Sequence, residues 1–289
     1  MRTFWQLLSY YVNTKFVDKT PLFLNLDETS IPYTMLQLPG CVALPRHASL
    51  RMPVQKQDVR GALTYVSIIC DAPHIQGKLP HYLFGTETKL TQKLLRGQRR
   101  LPQTALHIVR QKSAWTSCKN ITKIVRDLGK VLKPYPFQPI LLLDVASSHL
   151  AKETMVCARR NGVQLLYIPA GCTDKIQPLD IAGFHPLKTH LKRKYQELRA
   201  GSCEGLIDPL AWLFELMQCP SYFAGKSWKR TFESVGAAKP PDTAHLHTEL
   251  RKFMDMPLHM PPGSKPSKEA MQSIWPERRR MAYAYTALL

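Results

Sequence analysis

Residues 138–150 read QPILLLDVASSHL, and this stretch decides how the centre of the chain folds. Its apolar run at 140–143 is short and stops at Asp144, which is typical of a buried strand. A helix is predicted near 149–160, closed by an Asn-Gly pair, and a second strand, VQLLYI, follows at 163–168. A strand–helix–strand crossover of this kind makes its two strands parallel.

Earlier segments predict the other elements of the fold. Residues 21–26, PLFLNL, form a short apolar strand that stops at Asp27. Antiparallel strands are expected in the region 41–85, most clearly at 62–70, ALTYVSIIC, which is rich in β-branched and aromatic residues. Apolar positions recur with the helical period at 120–133, NITKIVRDLGKVLK. Together these elements predict an α/β fold, a mixed sheet flanked by helices.

The composition points to a polyanionic partner. The 289 residues include 40 Lys and Arg against 21 Asp and Glu, and the resulting charge of +19 is usually tolerated because an anion supplies the counter-charge. Nucleic acid is the first candidate, since no apolar run approaches the ~20 residues that span a membrane. The N-terminal segment does not resemble a signal peptide. The seven scattered cysteines form no Cys-x-x-Cys pair and are expected to be reduced thiols.

The chain is expected to have three parts. Residues 186–201, PLKTHLKRKYQELRAG, start with proline and end with glycine, as one helix would, with one apolar and one basic face. Beyond residue 220 prolines become frequent, and at most a short helix at 244–254 is expected. The three parts are a lead-in at 1–14, an α/β core at 15–220 and a basic, Pro-rich extension at 221–289.

Three aspartates suggest a metal site. Asp27 and Asp144 each follow an apolar strand, and Asp180 lies just before the basic helix. Ligands of open α/β sheets bind outside the carboxyl ends of the strands, so the three carboxylates could converge there. Crowded carboxylates repel each other unless they are protonated or bind cations. Their oxygen atoms suit Mg²⁺ or Mn²⁺, and two such ions can clamp a phosphodiester during its cleavage.

The sequence resembles the DDE superfamily endonucleases, in the pogo and jerky branch of mariner-like transposases. The resemblance covers residues 15–200 and rests on three blocks: NLDETS at 25–30, LLLDVASSH at 141–149 and LLYIPAGCTDKIQPLDIAGFHPLK at 165–188. It implies a ribonuclease H-like fold in which Asp27, Asp144 and Asp180 are the catalytic acids and hold two divalent metal ions, Mg²⁺ or Mn²⁺. It also implies that the core hydrolyses DNA strands and joins the freed 3′ end to a target, and that it works as a homodimer on paired DNA ends.

Two departures from the family pattern leave alternatives open. Val145 stands where the family commonly has Asn, which favours a catalytically inactive, domesticated or decayed core that binds nucleic acid or a partner protein. Pro186 would interrupt a helix running through from Asp180. Either a helix starts at Pro178 and kinks, or Asp180 lies on a turn before a helix that starts at Pro186. An RNA-cutting ribonuclease H-like enzyme fits the fold but not the three blocks.

Residues beside the three acids can also be interpreted as having structural roles. Ser147 and Ser148 are expected to cap the next helix. His149 is either a packed, hydrogen-bonded histidine or a residue that supports the metal ligands from behind. Gln177 is expected to orient its loop, and Glu28 is expected to face outward.

Two other aspartates, Asp71 and Asp174, are weaker candidates for metal ligands. Asp71, at the end of the strand 62–70, competes weakly as a metal ligand because no signature block surrounds it. Asp174 is interpreted as a loop residue.

The basic residues near the third acid are candidate DNA contacts. We expect some of Lys175, Lys188, Lys192 and Arg193 to contact phosphates, because the rest of the chain is also basic. The cluster KLTQKLLRGQRR at 89–100 is a second candidate. The Arg run at 278–280 is either a nuclear address or a charged tail, so a nuclear location is a further expectation.

Overall fold

The computed structural model describes residues 2–32, 62–202, 207–239, 265–267 and 269. These residues build one sheet of six strands in the order β4-β3-β2-β1-β5-β6. The strands are β1 (Thr20–Pro32), β2 (Ala62–Cys70), β3 (His81–Thr86), β4 (Leu106–Gln111), β5 (Phe137–Leu143) and β6 (Gln164–Tyr167).

Every strand of this sheet except β2 runs in the same direction. β1 and β2 are antiparallel, as are β2 and β3, whereas the pairs β3–β4, β1–β5 and β5–β6 are parallel. The predicted antiparallel strand at 62–70 and the parallel strand–helix–strand unit are therefore confirmed. The carboxyl ends of β1, β3, β4, β5 and β6 lie at one edge of the sheet, and the carboxyl end of β2 lies at the opposite edge.

Helices flank the sheet, so the expected mixed α/β architecture is confirmed. The described α-helices are α1 (Arg2–Tyr10), α2 (Pro73–Gln76), α3 (Gln92–Gln98), α4 (Cys118–Leu132), α5 (Lys152–Arg160), α6 (Thr173–Ile176), α7 (Phe184–Ala200), α8 (Pro209–Met217), α9 (Cys219–Ala224) and α10 (Lys229–Ser234). Two π-helical turns, Tyr11–Lys15 and Leu179–Gly183, precede β1 and α7.

The helix predicted at 120–133 is α4. The Ser117 side chain accepts a hydrogen bond from the backbone N–H of Asn120 at 3.3 Å and so caps the helix. Ile121, Ile124 and Leu128 are fully buried on its apolar face.

The crossover helix α5 starts later than predicted. It begins at Lys152, and its N-cap residue Ala151 makes no side-chain capping hydrogen bond. The prediction that Ser147 and Ser148 cap this helix is wrong, because both lie in a turn that precedes it. The predicted closure is correct, since Gly162 has φ of 70°, a left-handed conformation that glycine adopts without strain.

Both ends of the described chain pack into the core. In α1, Trp5 is fully buried, and its indole N–H donates to the carbonyl of Val235 at 3.1 Å. Phe223 and Phe232 are also fully buried in the same hydrophobic cluster. The predicted lead-in at 1–14 therefore includes a packed helix, and the predicted boundary at residue 220 falls inside the packed unit.

Two predicted segments lie outside the described residues. The helix expected at 244–254 and the Arg run at 278–280 are among the residues that the structure does not describe.

The described cysteines are reduced, as expected. Within the described segments, Cys70, Cys118, Cys157, Cys172 and Cys219 are free thiols. None of the described helices is both long enough and apolar enough to cross a membrane.

Replacing Trp5 with alanine should destabilise the protein by about 3–5 kcal/mol, the usual cost of removing a buried large aromatic side chain. Trp115 is 82% exposed, so the matched change Trp115→Ala should cost no more than about 0.5 kcal/mol. Urea unfolding of both variants measures the difference. Equal costs for the two changes would contradict the packing of α1 against the core.

Candidate active site

Asp27 and Asp144 lie side by side on neighbouring strands. The parallel pairing of β1 with β5 runs from Thr20 opposite Phe137 to Asn25 opposite Leu142. Continuing this register by two residues brings Asp27 level with Asp144. The prediction that a strand stops at Asp27 is wrong, because β1 continues to Pro32 and Asp27 lies inside it. The pairing with β5 ends just before Asp27, and both carboxylates therefore lie where the two strands separate.

Asp180 is brought to the same place by a π-helical turn. This turn, Leu179–Gly183, passes directly into α7, so the alternative with a helical segment starting beside Pro178 holds. Pro186 lies in the first turn of α7, where proline is tolerated. The segment predicted at 186–201 is thus one helix that begins two residues earlier, at Phe184.

A buried asparagine holds the turn against the sheet. Asn25 is fully buried, and its side-chain oxygen accepts a hydrogen bond from the backbone N–H of Leu179 at 2.9 Å. Its amide group donates to the carbonyl of Leu142 at 3.1 Å. Asn25 thus links β1, β5 and the turn that carries Asp180. Its position in the NLDETS block was the available signal, but sequence reasoning did not assign it a role.

Asp27 and Asp180 act on each other electrostatically. Asp27 is only 6% exposed, and burial together with the charge of Asp180 raises its pKa well above the ordinary value. Desolvation also raises the pKa of Asp180, although a hydrogen bond with Asp27 opposes this. The charge of Asp144 acts on both groups, so the structure brings all three acids into one electrostatic cluster.

Asp144 is paired with a buried histidine. The His149 side chain is fully buried, its Nδ1 hydrogen-bonds to Asp144 Oδ1, and its Nε2 lies 3.6 Å from Glu28 Oε2. Burial alone would lower the pKa of His149, but the Asp144 and Glu28 carboxylates raise it to about 10. His149 is therefore an imidazolium at neutral pH. The pKa of Asp144 is lowered: burial opposes this, but the hydrogen bond and charge of His149 outweigh it.

Glu28 belongs to the site. Its carboxylate is 18% exposed, faces His149 and accepts a hydrogen bond from the Thr116 hydroxyl. The expectation that Glu28 faces outward is wrong. The side chain reaches the loop that precedes α4, where it contacts Thr116, and it also faces His149.

Two of the acids, Asp27 and Asp144, line a cleft of about 770 Å³. Glu28 and hydroxyl-bearing residues such as Thr29 and Ser30 also line it. The loop 112–116, which follows β4, forms one wall. This loop reaches the cleft because the carboxyl end of β4 lies at the same sheet edge as the acids.

The donor chemistry of the three acids fits a hard divalent cation, because their carboxylate oxygens are the ligands that such ions prefer. Among the described residues, no three His, Cys, Asp or Glu side chains stand in an arrangement that could hold a metal ion. Instead, the pKa values of Asp27 and Asp180 are raised, and Asp144 is hydrogen-bonded to His149. Protonation and cation binding are the two ways in which crowded carboxylates become stable.

Residues 68–212, half of the chain, match the family described as DDE superfamily endonuclease. The chain belongs to the DDE superfamily endonucleases. The resemblance seen in the three sequence blocks is thus confirmed. The matched residues include Asp144 and Asp180 but not Asp27, whose place beside them follows from the strand register.

Individual relatives of this DDE endonuclease are distant. A human protein named "Pogo transposable element with ZNF domain" is 28% identical over 92 residues, which amount to 28% of this chain and 6% of that protein. The Mos1 transposase paired-end complex with left transposon end is 16% identical with a TM-score of 0.40, over 81% of this chain and 60% of that one. The structure of the Mos1 transposase catalytic domain and raltegravir with Mg is 14% identical with a TM-score of 0.39, over 81% of this chain and 92% of that one.

Val145 and Gln177 behave differently from the acids in this DDE site. Val145, which stands where the family commonly has Asn, is half-buried against the hydrophobic core. Gln177 is buried, and its side-chain oxygen accepts no hydrogen bond from the described residues. Its backbone N–H closes α6 by donating to Thr173 at 3.0 Å. The structure thus places Gln177 at the end of α6 without showing how its side chain would orient the loop.

The basic residues of the DDE core differ in their surroundings. Lys188 lies in the first turns of α7, and its charge acts to lower the pKa of Asp180. Lys192 is half-buried one turn further along, and Lys175 lies in α6. Arg193 is exposed but forms an ion pair with Glu197 at 2.8 Å. Of the four predicted DNA contacts, Lys188 is thus shown to act on Asp180.

The other two aspartates lie apart from the three acids. Asp71 follows β2, whose carboxyl end is at the opposite sheet edge, and accepts a hydrogen bond from the N–H of Phe23 at 3.1 Å. It cannot compete as a ligand at the site. Asp174 was interpreted as a loop residue but lies in the short helix α6, and its charge acts to raise the pKa of Asp180.

Asn25→Leu should destabilise the protein by about 1–3 kcal/mol, because the buried N–H of Leu179 loses its acceptor. Asn13→Leu is the matched control, since Asn13 is only partly buried and its side chain bonds to Ser9 at 3.2 Å. Urea unfolding measures both. A cost for Asn25→Leu no larger than for the control would show that Asn25 does not hold the turn.

Asp71 should make stability depend on pH. Burial raises its pKa to about 6, whereas the ordinary value is 3.8. The folded protein then binds a proton more tightly than the unfolded chain, so this contribution to stability is lost as pH rises from about 4 to about 6. A shift of this size corresponds to at most about 3 kcal/mol.

Asp71→Asn should remove this pH-dependent part while keeping an acceptor for the Phe23 N–H. Urea unfolding of both proteins at several values between pH 4 and pH 7 tests the sign. If the variant loses as much stability as the wild type over this range, Asp71 is not the group responsible.

Proposed function

We propose that this DDE endonuclease core binds DNA, cleaves its strands with divalent metal ions and transfers the freed 3′ end to a target. The observation that carries the proposal is the convergence of Asp27, Asp144 and Asp180. They come from three separate parts of the chain and act on one another electrostatically at the carboxyl edge of the sheet, where Asp27 and Asp144 line a cleft. Such convergence has no packing purpose, because like charges repel.

The three aspartates would hold two ions, Mg²⁺ or Mn²⁺, through their carboxylate oxygens. Bound ions of this kind supply Lewis acidity and activate the attacking water or 3′ hydroxyl. Asp27 would release its proton when it serves as a ligand. The His149 side chain would keep Asp144 oriented, because it is fully buried and bonded to the same carboxylate. His149 thus has the position expected of a residue that supports a ligand from behind.

DNA is the proposed substrate because of charge and shape. The net charge of +19 suits a polyanion, and the cleft of about 770 Å³ lies beside Asp27 and Asp144. Lys188 stands near Asp180, where it would contact the phosphate backbone. A homodimer on paired DNA ends and a nuclear location are further proposals, which rest on the family relationship and on the Arg run at 278–280 respectively.

A core that binds DNA without cutting it is the second candidate. Two observations favour it: Asp144 is engaged by the His149 imidazolium, and Val145 replaces a polar neighbour of the metal site. If the hydrogen bond between His149 and Asp144 persists in the presence of a cation, the three carboxylates cannot bind that cation together.

Nicking of a labelled DNA duplex distinguishes the two candidates. The wild type should cut in Mg²⁺ or Mn²⁺ and not in chelator, and Asp144→Asn should lower the rate by more than about 100-fold, since a metal contributes several kcal/mol to transition-state stabilisation. Asp71→Asn is the matched control, because it makes the same change at the opposite sheet edge and should cut normally.

The second candidate predicts a different result in the same assay. The wild type would bind the duplex but show no metal-dependent nicking above the level of Asp144→Asn. That outcome would overturn the proposed cleavage and leave DNA binding in place.

A further inference from the structure

Trp115 stands exposed at the rim of the acidic cleft. Among the described residues, the large apolar side chains that are exposed are Trp115 at 82%, Val17 at 54% and Ile181 at 40%. The other described tryptophans, Trp5, Trp212 and Trp228, are at most 3% exposed. The fold thus buries its other indole rings and presents this one to solvent.

The loop that carries Trp115 is fixed by hydrogen bonds. The Trp115 N–H donates to the Ser113 hydroxyl at 3.3 Å, and its carbonyl accepts from the Gln111 side chain at 2.9 Å. Gln111 in turn accepts from the Asn120 side chain of α4 at 2.9 Å. The backbone of Trp115 is therefore anchored to β4 and α4, while its side chain is 82% exposed.

The same loop is connected to the acids. Thr116, the next residue, donates its hydroxyl hydrogen bond to Glu28, which faces His149 and adjoins Asp27. Lys112 and Trp115 line the cleft whose floor holds Asp27 and Asp144. The exposed indole, Asp27 and Asp144 thus line the same cleft.

A nucleobase fits this position better than a protein side chain does. The cleft combines an acidic floor suited to cations, one lysine and several hydroxyl groups with a flat aromatic ring at its rim. Aromatic rings next to cationic groups are how proteins hold unpaired nucleotides, because every base has a face that can stack. The face of a paired base inside a duplex is covered, so only a base at a strand end or one turned out of the helix is available.

We propose that Trp115 stacks on an unpaired base of the DNA strand close to the phosphate that is cut. This inference rests on the proposed function, since it assigns the base contact of the same site. Trp115 is a binding residue and takes no part in proton or phosphoryl transfer. Lys112 would contact the phosphate of the same nucleotide, while Thr116 and Glu28 fix the distance between the ring and the acids.

Fluorescence of 2-aminopurine tests the stacking with the full chain. The probe is placed in a 3′ single-stranded overhang, and binding is measured in Ca²⁺, which neutralises the acidic floor, against a blunt duplex. The wild type should quench the probe. Trp115→Ala should abolish the quenching and weaken binding of the overhang by roughly 5- to 150-fold, the range for loss of one base–aromatic stack, with little effect on the blunt duplex.

Two further variants make the result specific. Trp115→Phe keeps an aromatic face and should restore most of the quenching and affinity. Val17→Ala removes another exposed apolar side chain, ahead of the amino end of β1 and therefore at the opposite sheet edge, and should behave as the wild type. Unfolding measurements on Trp115→Ala exclude loss of the fold as the cause.

The outcomes separate this inference from the proposed function. If Trp115→Ala binds the overhang and quenches the probe like the wild type, the stacking is overturned, whether or not the wild type nicks DNA. If stacking depends on Trp115 but metal-dependent nicking is absent, the inference stands and the proposed cleavage fails. If the wild type binds neither DNA, both are overturned.

Discussion

The side chain of Asn25 is the contact on which the site depends. It donates to the carbonyl of Leu142 on β5 and accepts from the N–H of Leu179, so it joins the segments that carry the three acids. This contact is needed because the β1–β5 pairing ends at Asn25, and beyond it no backbone ladder holds β5 beside β1. A buried amide can satisfy a donor and an acceptor at once, which an aspartate or a leucine of similar volume cannot do. The positions of the acids thus depend on a contact between Asn25 and Leu142, which lie two residues before Asp27 and Asp144 respectively.

Bringing acids together has an electrostatic cost, and the structure offsets it in two different ways. Burial raises the pKa of Asp27 and so favours its neutral form, whereas Asp144 keeps a lowered pKa, because the hydrogen bond and charge of His149 outweigh its burial. Glu28 adds a further negative charge on the far side of His149, which raises the pKa of this fully buried histidine. Lys188 of α7 also acts on the cluster, because its charge lowers the pKa of Asp180. Cation binding would replace charges that are already present, so the fold would not have to be rebuilt.

Much of the fold follows from local sequence, because strands and helices of this chain carry regular apolar patterns. The runs at 62–70 and 140–143 and the period at 120–133 identify their elements, and three short blocks predict that Asp27, Asp144 and Asp180 lie at one sheet edge. Sequence reasoning failed where a side chain makes a distant contact. The roles of Asn25 and Glu28 depend on partners 154 and 88 residues away, which no periodicity shows. The packing of Phe232 depends likewise on α1, at the other end of the chain, so a Pro-rich composition nearby concealed a buried helix.

The direction of the strands explains why the cleft extends beyond the three acids. Because β3 and β4 run parallel to β1, the loop after β4 opens at the same edge as Asp27, and Trp115 comes to lie there. Three strand spacings separate β4 from β1, roughly 14 Å at about 4.8 Å each, which is the length of about four stacked nucleotides. The bond from Thr116 to Glu28 draws the loop across this gap, so the ring lies closer than the strand spacing alone would place it. The proposed stack of Trp115 on a base would therefore lie within a few nucleotides of a phosphate held at the acids.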